Sequence, residues 1–191
     1  MSTAPAGYVE LLRHGDTGHT GFRGRMEDAL TPLGWQQMVQ ALQDESGWDV
    51  VLSSPRIRCA QFAAVFAARH QLPLSIDERL TELDFGAWEG VPVADLQRTQ
   101  PELLGKFWQD PWHHPPPQGE SLQRFEQRLR AAHDSIHRQY PNQRVLVITH
   151  AGVIRILLYL TQQLSPQALL QWSIPHASRH RLDTRCGCAT S

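Results

Sequence analysis

Histidine and arginine residues stand where three apolar segments of the sequence end. The segments cover residues 8–12, 50–52 and 145–148. The residues at or just after these ends that could do chemistry are Arg13, His14, Arg56, Arg58 and His150. A guanidinium group binds two phosphate oxygens at once, and an imidazole can accept a phosphoryl group. Neighbouring guanidinium groups also keep an imidazole neutral, so these residue types indicate phosphoryl chemistry.

The elements that must position these residues alternate between strands and helices. Thr31-Pro32 and Ser54-Pro55 predict helix starts, and apolar residues at helical spacing follow both. A longer helix is predicted from Leu122 to Ile136, and shorter helices near 93–99, 102–108 and 153–160. Two further strands are predicted near 74–76 and 178–182. This order favours a three-layer α/β/α sandwich with a mostly parallel central sheet, in which strand carboxyl ends form the binding edge.

The domain organisation follows from the absence of a linker or an internal repeat. The 191 residues are expected to form one domain, with residues 77–119 as an insertion that covers the sheet edge. That insertion carries Glu82, Asp84 and Glu89 beside apolar residues. A carboxyl group in such surroundings can act as a general acid, and position alone does not choose among the three.

Composition and charge exclude several other classes of protein. The 18 Lys+Arg and 19 Asp+Glu residues give a net charge of -1, which argues against nucleic acid as a partner. No apolar run approaches the about 20 residues that cross a membrane. No Walker loop or carboxylate cluster occurs, and Cys186 and Cys188 lack the usual zinc spacing, so we expect no metal and no cofactor. The N-terminus has no export signal, and three cysteines make no disulfide framework, which together favour the cytoplasm.

Six blocks of the sequence together resemble the histidine phosphatase superfamily, also called the phosphoglycerate mutase-like family. The first is Leu11-Leu12-Arg13-His14-Gly15-Asp16-Thr17, similar to the R-H-G-[DE]-T signature of that family. The others, in family order, are residues 30–34, 53–61, 83–90, 119–121 and 149–152. A single R-H-G is a weak signal, whereas all of these blocks in order are specific. The resemblance covers residues 8–160.

The resemblance implies a role for each matching residue. It implies that His14 is the nucleophile that forms phosphohistidine, and that Glu82 is the general acid. The residues implied to bind the phosphate are Arg13, Arg58, His150, Thr20 and Ala151. Arg58 matches the family arginine three residues before Gln61, so Arg56 is expected to be a surface helix residue. Many members carry asparagine where this chain has Thr20, whose hydroxyl group can still bind a phosphate oxygen.

The substrate is expected to be a small phosphorylated metabolite. Residues 21–31 resemble the branch that contains α-ribazole phosphatases, which remove a 5′-phosphate late in cobalamin assembly. Phosphoglycerate mutase, a broad-specificity phosphatase and a non-catalytic phospho-ligand binding module are the alternatives. Trp88 and Trp112 are expected to touch substrate, whereas Arg23 and Arg25 either reach a nucleotide-like substrate or face solvent. A homodimer is compatible with the sequence.

Overall fold

The computed structural model describes residues 7–44, 47–161, 163–165 and 169–182. Within these residues the strands are β1 (Tyr8–Arg13), β2 (Val50–Ser53), β3 (Leu74–Ile76), β4 (Arg144–Thr149) and β5 (Arg179–Leu182). The helices are α1 (Pro32–Leu42), α2 (Ile57–His70), α3 (Val93–Thr99), α4 (Pro101–Gln109), α5 (Leu122–Gln139) and α6 (Ala151–Leu160). Two short 3-10 turns, Glu78–Leu80 and Gly86–Trp88, lie between β3 and α3. Cys186 and Cys188 fall outside the described residues.

The sheet has the order β3-β2-β4-β1-β5, and only β5 runs antiparallel to its neighbour. The predicted mostly parallel sheet is therefore confirmed. Strand β4 lies at its centre, and five of its six residues are buried, because helices cover both faces. Arg13 pairs with Thr149, so the residues that follow β1 and β4 come to lie side by side.

Two apolar clusters fill the space between the sheet and its helices. Helices α1 and α2 cover one face, where Met38, Phe62 and Cys59 are buried. Helices α5 and α6 cover the other face with residues such as Leu129 and Ile154. The predicted three layers and the predicted core position of Cys59 are both confirmed.

Part of the segment 77–119 lies beside the carboxyl ends of β1 and β4. The hydroxyl group of Thr149, at the end of β4, donates a hydrogen bond to the carbonyl oxygen of Leu80 at 2.9 Å. Phe22, in the loop after β1, forms a parallel bridge with Glu89. This segment therefore forms a wall beside the polar residues at the strand ends. No helix among the described residues is long and apolar enough to span a lipid bilayer.

Helix α1 begins where the sequence predicts, because the Thr31 side chain accepts a hydrogen bond from the backbone N–H of Gly34 at 3.0 Å. Gly34 also faces the backbone of Gly15 and Asp16 at very short range. A β-carbon added to Gly34 would overlap the carbonyl oxygen of Asp16, and one added to Gly15 would overlap that of Gly34. This close approach fixes the backbone that immediately follows His14.

We expect Gly34→Ala to lower the free energy of unfolding by about 1–3 kcal/mol, because backbone atoms must shift to admit the methyl group. Gly105→Ala is the matched control, since a β-carbon on Gly105 in α4 meets nothing within 4 Å. That control should stabilise the protein by about 0.5–1 kcal/mol, because alanine favours a helix. Denaturant unfolding of both variants measures the two effects. Equal stability of both variants would contradict the close approach.

Candidate active site

A cavity of about 290 Å³ opens at the carboxyl ends of the strands. The sequence-predicted residues that line it are Arg13, His14, Arg23, Arg58, Glu82 and Ala151. His150 is completely buried, and its ring centroid lies 5.3 Å from that of His14. The fold therefore brings together residues that are distant in the sequence, through β1, α2, residues 77–119 and the β4–α6 junction.

His14 is held in a defined tautomer. Its Nδ1 lies 2.8 Å from the carbonyl oxygen of Gly15, and a carbonyl can only accept, so Nδ1 carries the hydrogen. Nε2 then keeps its lone pair. Burial and the charge of Arg58 lower the pKa of His14 from 6.5 to about 3. His14 is therefore a neutral imidazole at pH 7.

His150 is also neutral, in the opposite tautomer. Its Nδ1 accepts a hydrogen bond from the Nε–H group of Arg58 at 3.3 Å, so the ring hydrogen lies on Nε2. That Nε2 donates to the hydroxyl oxygen of Ser54 at 2.7 Å. Complete burial and the charge of Arg58 lower the pKa of His150 well below its usual value. Ser54 at the end of β2 thus fixes the ring that packs against His14.

Arg58 connects the loop that follows β1 to the buried His150 ring. One of its terminal nitrogens donates to the carbonyl oxygens of Arg23 at 2.7 Å and Gly24 at 2.9 Å. The other donates to the carbonyl oxygen of Met26 at 2.7 Å. Arg58 is 1% exposed, so a buried positive charge both orients His150 and holds this loop over the cavity. Its charge is compensated mainly by oriented carbonyl groups.

Arg13 supplies a second positive charge beside His14. One terminal nitrogen donates to the carbonyl oxygen of Ile174, whereas the Nε–H group is buried without a hydrogen-bond partner in the described part of the chain. Burial lowers the pKa of Arg13 from 12.5 to about 10, so it stays charged at pH 7. A buried donor without a partner costs about 1–3 kcal/mol, which a bound anion can offset.

Glu82, Asp84 and Glu89, the three carboxylates among which sequence position alone does not choose a general acid, occupy different places. Glu89 accepts hydrogen bonds from the backbone N–H groups of Gly24 and Phe85 and holds the loop in place. Asp84 forms an ion pair with Arg25 at 3.0 Å. Of the three, Glu82 alone lines the cavity, where its carboxylate accepts from the backbone N–H of Gly152 at 3.0 Å.

Four residues considered as substrate contacts on sequence grounds do not line the cavity. Thr20 is exposed and Arg25 pairs with Asp84, and neither lines the cavity. Trp88 belongs to the apolar core and is therefore 0% exposed. Its indole N–H donates a hydrogen bond to the side chain of Gln100. Trp112 packs against Tyr159 with ring centroids 5.8 Å apart. The cavity lining therefore gives no support to substrate contacts by Thr20, Trp88 and Trp112, and Arg25 takes the solvent-facing one of its two alternatives.

Arg56 also differs from its expected place on a helix surface. It stands at the N-cap of α2, where its guanidinium group donates to Glu27 and to the carbonyl oxygen of Arg25 at 2.9 Å. Arg56 therefore fixes the same loop as Arg58 from its outer side. Arg23, which the sequence leaves open between the substrate and the solvent, lines the cavity and forms an ion pair with Asp28.

The cavity-wall residues that sequence reasoning missed include Phe22, Trp108, Arg155 and His176. Arg155 follows Ala151 by one helical turn on α6, and this spacing is a signal that could have found it. His176 precedes β5, and β5 runs antiparallel to β1, so the start of β5 lies beside the end of β1 and brings His176 to the site. The sequence does not indicate this strand direction. The centroids of His176 and His14 lie 5.7 Å apart, and burial lowers the pKa of His176.

Comparison with known proteins places the chain in a family. Residues 9–190 match the model of the histidine phosphatase superfamily, branch 1. The chain belongs to the histidine phosphatase superfamily. The chain carries the fold and the sequence pattern of this superfamily, and several of its relatives are named as phosphatases. Within the described residues, no group of three or more His, Cys, Asp or Glu is arranged to hold a metal ion.

Relatives of the chain include several phosphatases. A bifunctional protein of Mycobacterium tuberculosis is 36% identical over 156 residues, which are 78% of this chain and 43% of that protein. The chain thus spans less than half of that relative. An adenosylcobalamin/α-ribazole phosphatase of Escherichia coli is 30% identical over 153 residues, 78% of this chain and 75% of the relative. The crystal structure of the α-ribazole phosphatase of Shigella flexneri superposes with a TM-score of 0.77 at 28% identity, covering 92% of this chain and 90% of that one.

Acid should destabilise the protein through His14. The unfolded chain binds a proton at His14 below pH 6.5, whereas the folded chain binds it only near pH 3. The stability that this group contributes is complete above pH 6.5 and declines as the pH falls, by about 2 kcal/mol at pH 5.

Denaturant unfolding at pH 7 and pH 5 measures this loss. The variant His14→Gln should lose about 2 kcal/mol less than the wild type on acidification. His113, which is exposed and lies outside the cavity, provides the control variant His113→Gln. An equal loss for His14→Gln and the wild type would show that His14 is not held neutral by burial.

Proposed function

We propose that the chain is a metal-independent phosphomonoesterase that works through a phosphohistidine at His14. The observation that carries this proposal is the neutral His14 ring, whose Nδ1 is engaged by Gly15 while Nε2 keeps a lone pair on a ring that lines the cavity. An unprotonated nitrogen is what nucleophilic attack on phosphorus requires. Arg13 and Arg58 provide positive charge for the phosphoryl oxygens without further rearrangement.

In the first step Nε2 of His14 attacks the phosphorus atom, and the bond between phosphorus and the ester oxygen breaks. Glu82, as the carboxylic acid, gives its proton to that leaving oxygen, which departs as an alcohol. The hydrogen on Nδ1 stays bonded to the carbonyl oxygen of Gly15, which stabilises the positive charge that develops on the ring. The product of this step is phosphohistidine and a free alcohol.

In the second step water attacks the phosphorus atom and the bond between phosphorus and Nε2 breaks. The Glu82 carboxylate takes a proton from that water, so the acid is restored and inorganic phosphate leaves. Arg13 and Arg58 stabilise the transferring oxygens in both steps. His150, whose two ring nitrogens are engaged by Ser54 and Arg58, packs against the His14 ring and keeps it in place.

We further propose a 5′-phosphorylated nucleoside of the α-ribazole type as substrate, in cytoplasmic cobalamin biosynthesis. The named relatives from Escherichia coli and Shigella flexneri support this choice. The cavity supports it as well, because its wall includes Leu83, Phe107 and Phe125, which suit an apolar leaving group better than a small charged one.

Replacement of the nucleophile tests the mechanism. We expect His14→Ala to lower phosphate release by about 10³-fold or more, while vanadate still binds to Arg13 and Arg58. Acid-quench labelling with a radioactive phosphate ester should trap phosphohistidine in the wild type and none in the variant. The control His113→Ala should keep full activity. Wild-type turnover by His14→Ala would contradict the phosphohistidine, and vanadate binding by an inactive wild type would favour the non-catalytic module.

A comparison of two substrates tests the proposed specificity. We expect kcat/KM for phosphate release in the presence of EDTA to be about 10³-fold higher with α-ribazole 5′-phosphate than with 3-phosphoglycerate, which is about 4 kcal/mol of transition-state discrimination. Discontinuous phosphate assays measure both values. Comparable slow rates would contradict the α-ribazole assignment, and faster phosphate release from 3-phosphoglycerate would favour a phosphatase with another or a broader specificity.

A further inference from the structure

One wall of the active-site cavity is formed by aromatic rings from separate parts of the chain. Phe22 belongs to the loop after β1, Phe85 precedes the second 3-10 turn, and Phe107 and Trp108 lie on α4. All four line the same cavity as His14. The loop after β1 therefore contributes to both the phosphate-binding residues and this aromatic wall.

Most of these rings are fixed by one another. Phe22 stacks on Phe85 with centroids 4.5 Å apart and an interplanar angle of 25°. Phe107 is 2% exposed and meets Phe22 edge to face at 6.0 Å and 89°. Such pairs contribute beyond the burial of area, so Phe22 is held at one orientation in the cavity.

Trp108 differs from the other three rings because much of its surface is open. It is 44% exposed, although it contacts Phe22 at 5.8 Å and Phe107 at 5.4 Å. No residue in the described ranges accepts a hydrogen bond from its indole N–H. A single exposed tryptophan is common on protein surfaces, but this one stands on the cavity wall beside a fixed aromatic ring.

We propose that Trp108, next to Phe22, is the surface on which the leaving alcohol of the substrate stacks a flat aromatic ring. When the phosphoryl group lies at Arg13 and His14, the rest of the substrate extends toward this wall. The substrate class is then a phosphomonoester whose alcohol carries such a ring, because a glycerate or an amino acid gains nothing from stacking. The proposal rests on the proposed function of the same cavity, and it assigns recognition of the ring to Trp108.

The test compares two substrates that differ by the ring alone, α-ribazole 5′-phosphate and ribose 5-phosphate. Base stacking on an aromatic side chain is lost on truncation to alanine with a roughly tenfold to hundredfold effect. We therefore expect Trp108→Ala to lower kcat/KM for α-ribazole 5′-phosphate by that factor, chiefly through KM, and to leave ribose 5-phosphate within about twofold. Trp108→Phe should restore most of the loss, whereas Trp108→Leu, which keeps apolar bulk without a flat face, should not.

Trp172→Ala is the matched control, because Trp172 is 37% exposed and lies off the cavity wall, and it should affect neither substrate. An equal loss with both substrates in Trp108→Ala, or full activity with both, would overturn the assignment of the ring to Trp108. A separate measurement distinguishes failure of the stacking proposal from failure of the proposed phosphatase function. It is the calorimetric binding of unphosphorylated α-ribazole to the wild type and to Trp108→Ala. Binding that depends on Trp108 in a protein that hydrolyses neither ester would support the stacking surface and overturn the phosphatase activity on these substrates.

Discussion

The parallel pairing of β1 with β4 is the constraint on which the site depends. It sets Arg13 opposite Thr149, and the backbone N–H of His14 donates to the carbonyl oxygen of Thr149 at 2.9 Å. Because the register is continuous from Tyr8 to Arg13, a shift by one residue would exchange the faces on which Leu11 and Leu12 pack in the two apolar clusters and would separate His14 from His150. The core that fixes the register therefore also fixes the distance between the two histidines.

Positive charge and neutral histidine coexist in this site for one reason. Burial and the guanidinium charge of Arg58 both disfavour an imidazolium, so His14 and His150 keep unprotonated nitrogens while the arginines stay charged. Arg58 is itself stabilised by carbonyl groups of the loop after β1. The loop, the arginine and the tautomer of His150 thus form one connected unit, in which disturbance of any part alters the electrostatics at His14.

The cavity combines this charged end with an aromatic wall, and the two are joined by the same short loop. Glu89 accepts hydrogen bonds from the backbone of Gly24, next to the residues that Arg58 holds, while Phe22 stacks on Phe85. The same short loop therefore contributes to both the charged end and the aromatic wall of the cavity.

The sequence by itself determined the strands, the three layers and the place of His14 and His150 at strand ends, because periodicity and strand-end residues are local signals. The choice of Arg58 over Arg56 came from the resemblance to the family. Position in the sequence alone did not determine which carboxylate faces the cavity, although the family resemblance pointed to Glu82, and it did not determine which tryptophan does. Trp88 is buried whereas Trp108 lines the wall, and Glu82 rather than Glu89 reaches the site, through packing between residues far apart in the sequence. Only the tertiary structure decided these, since side-chain direction in an irregular segment depends on the surfaces that pack against it.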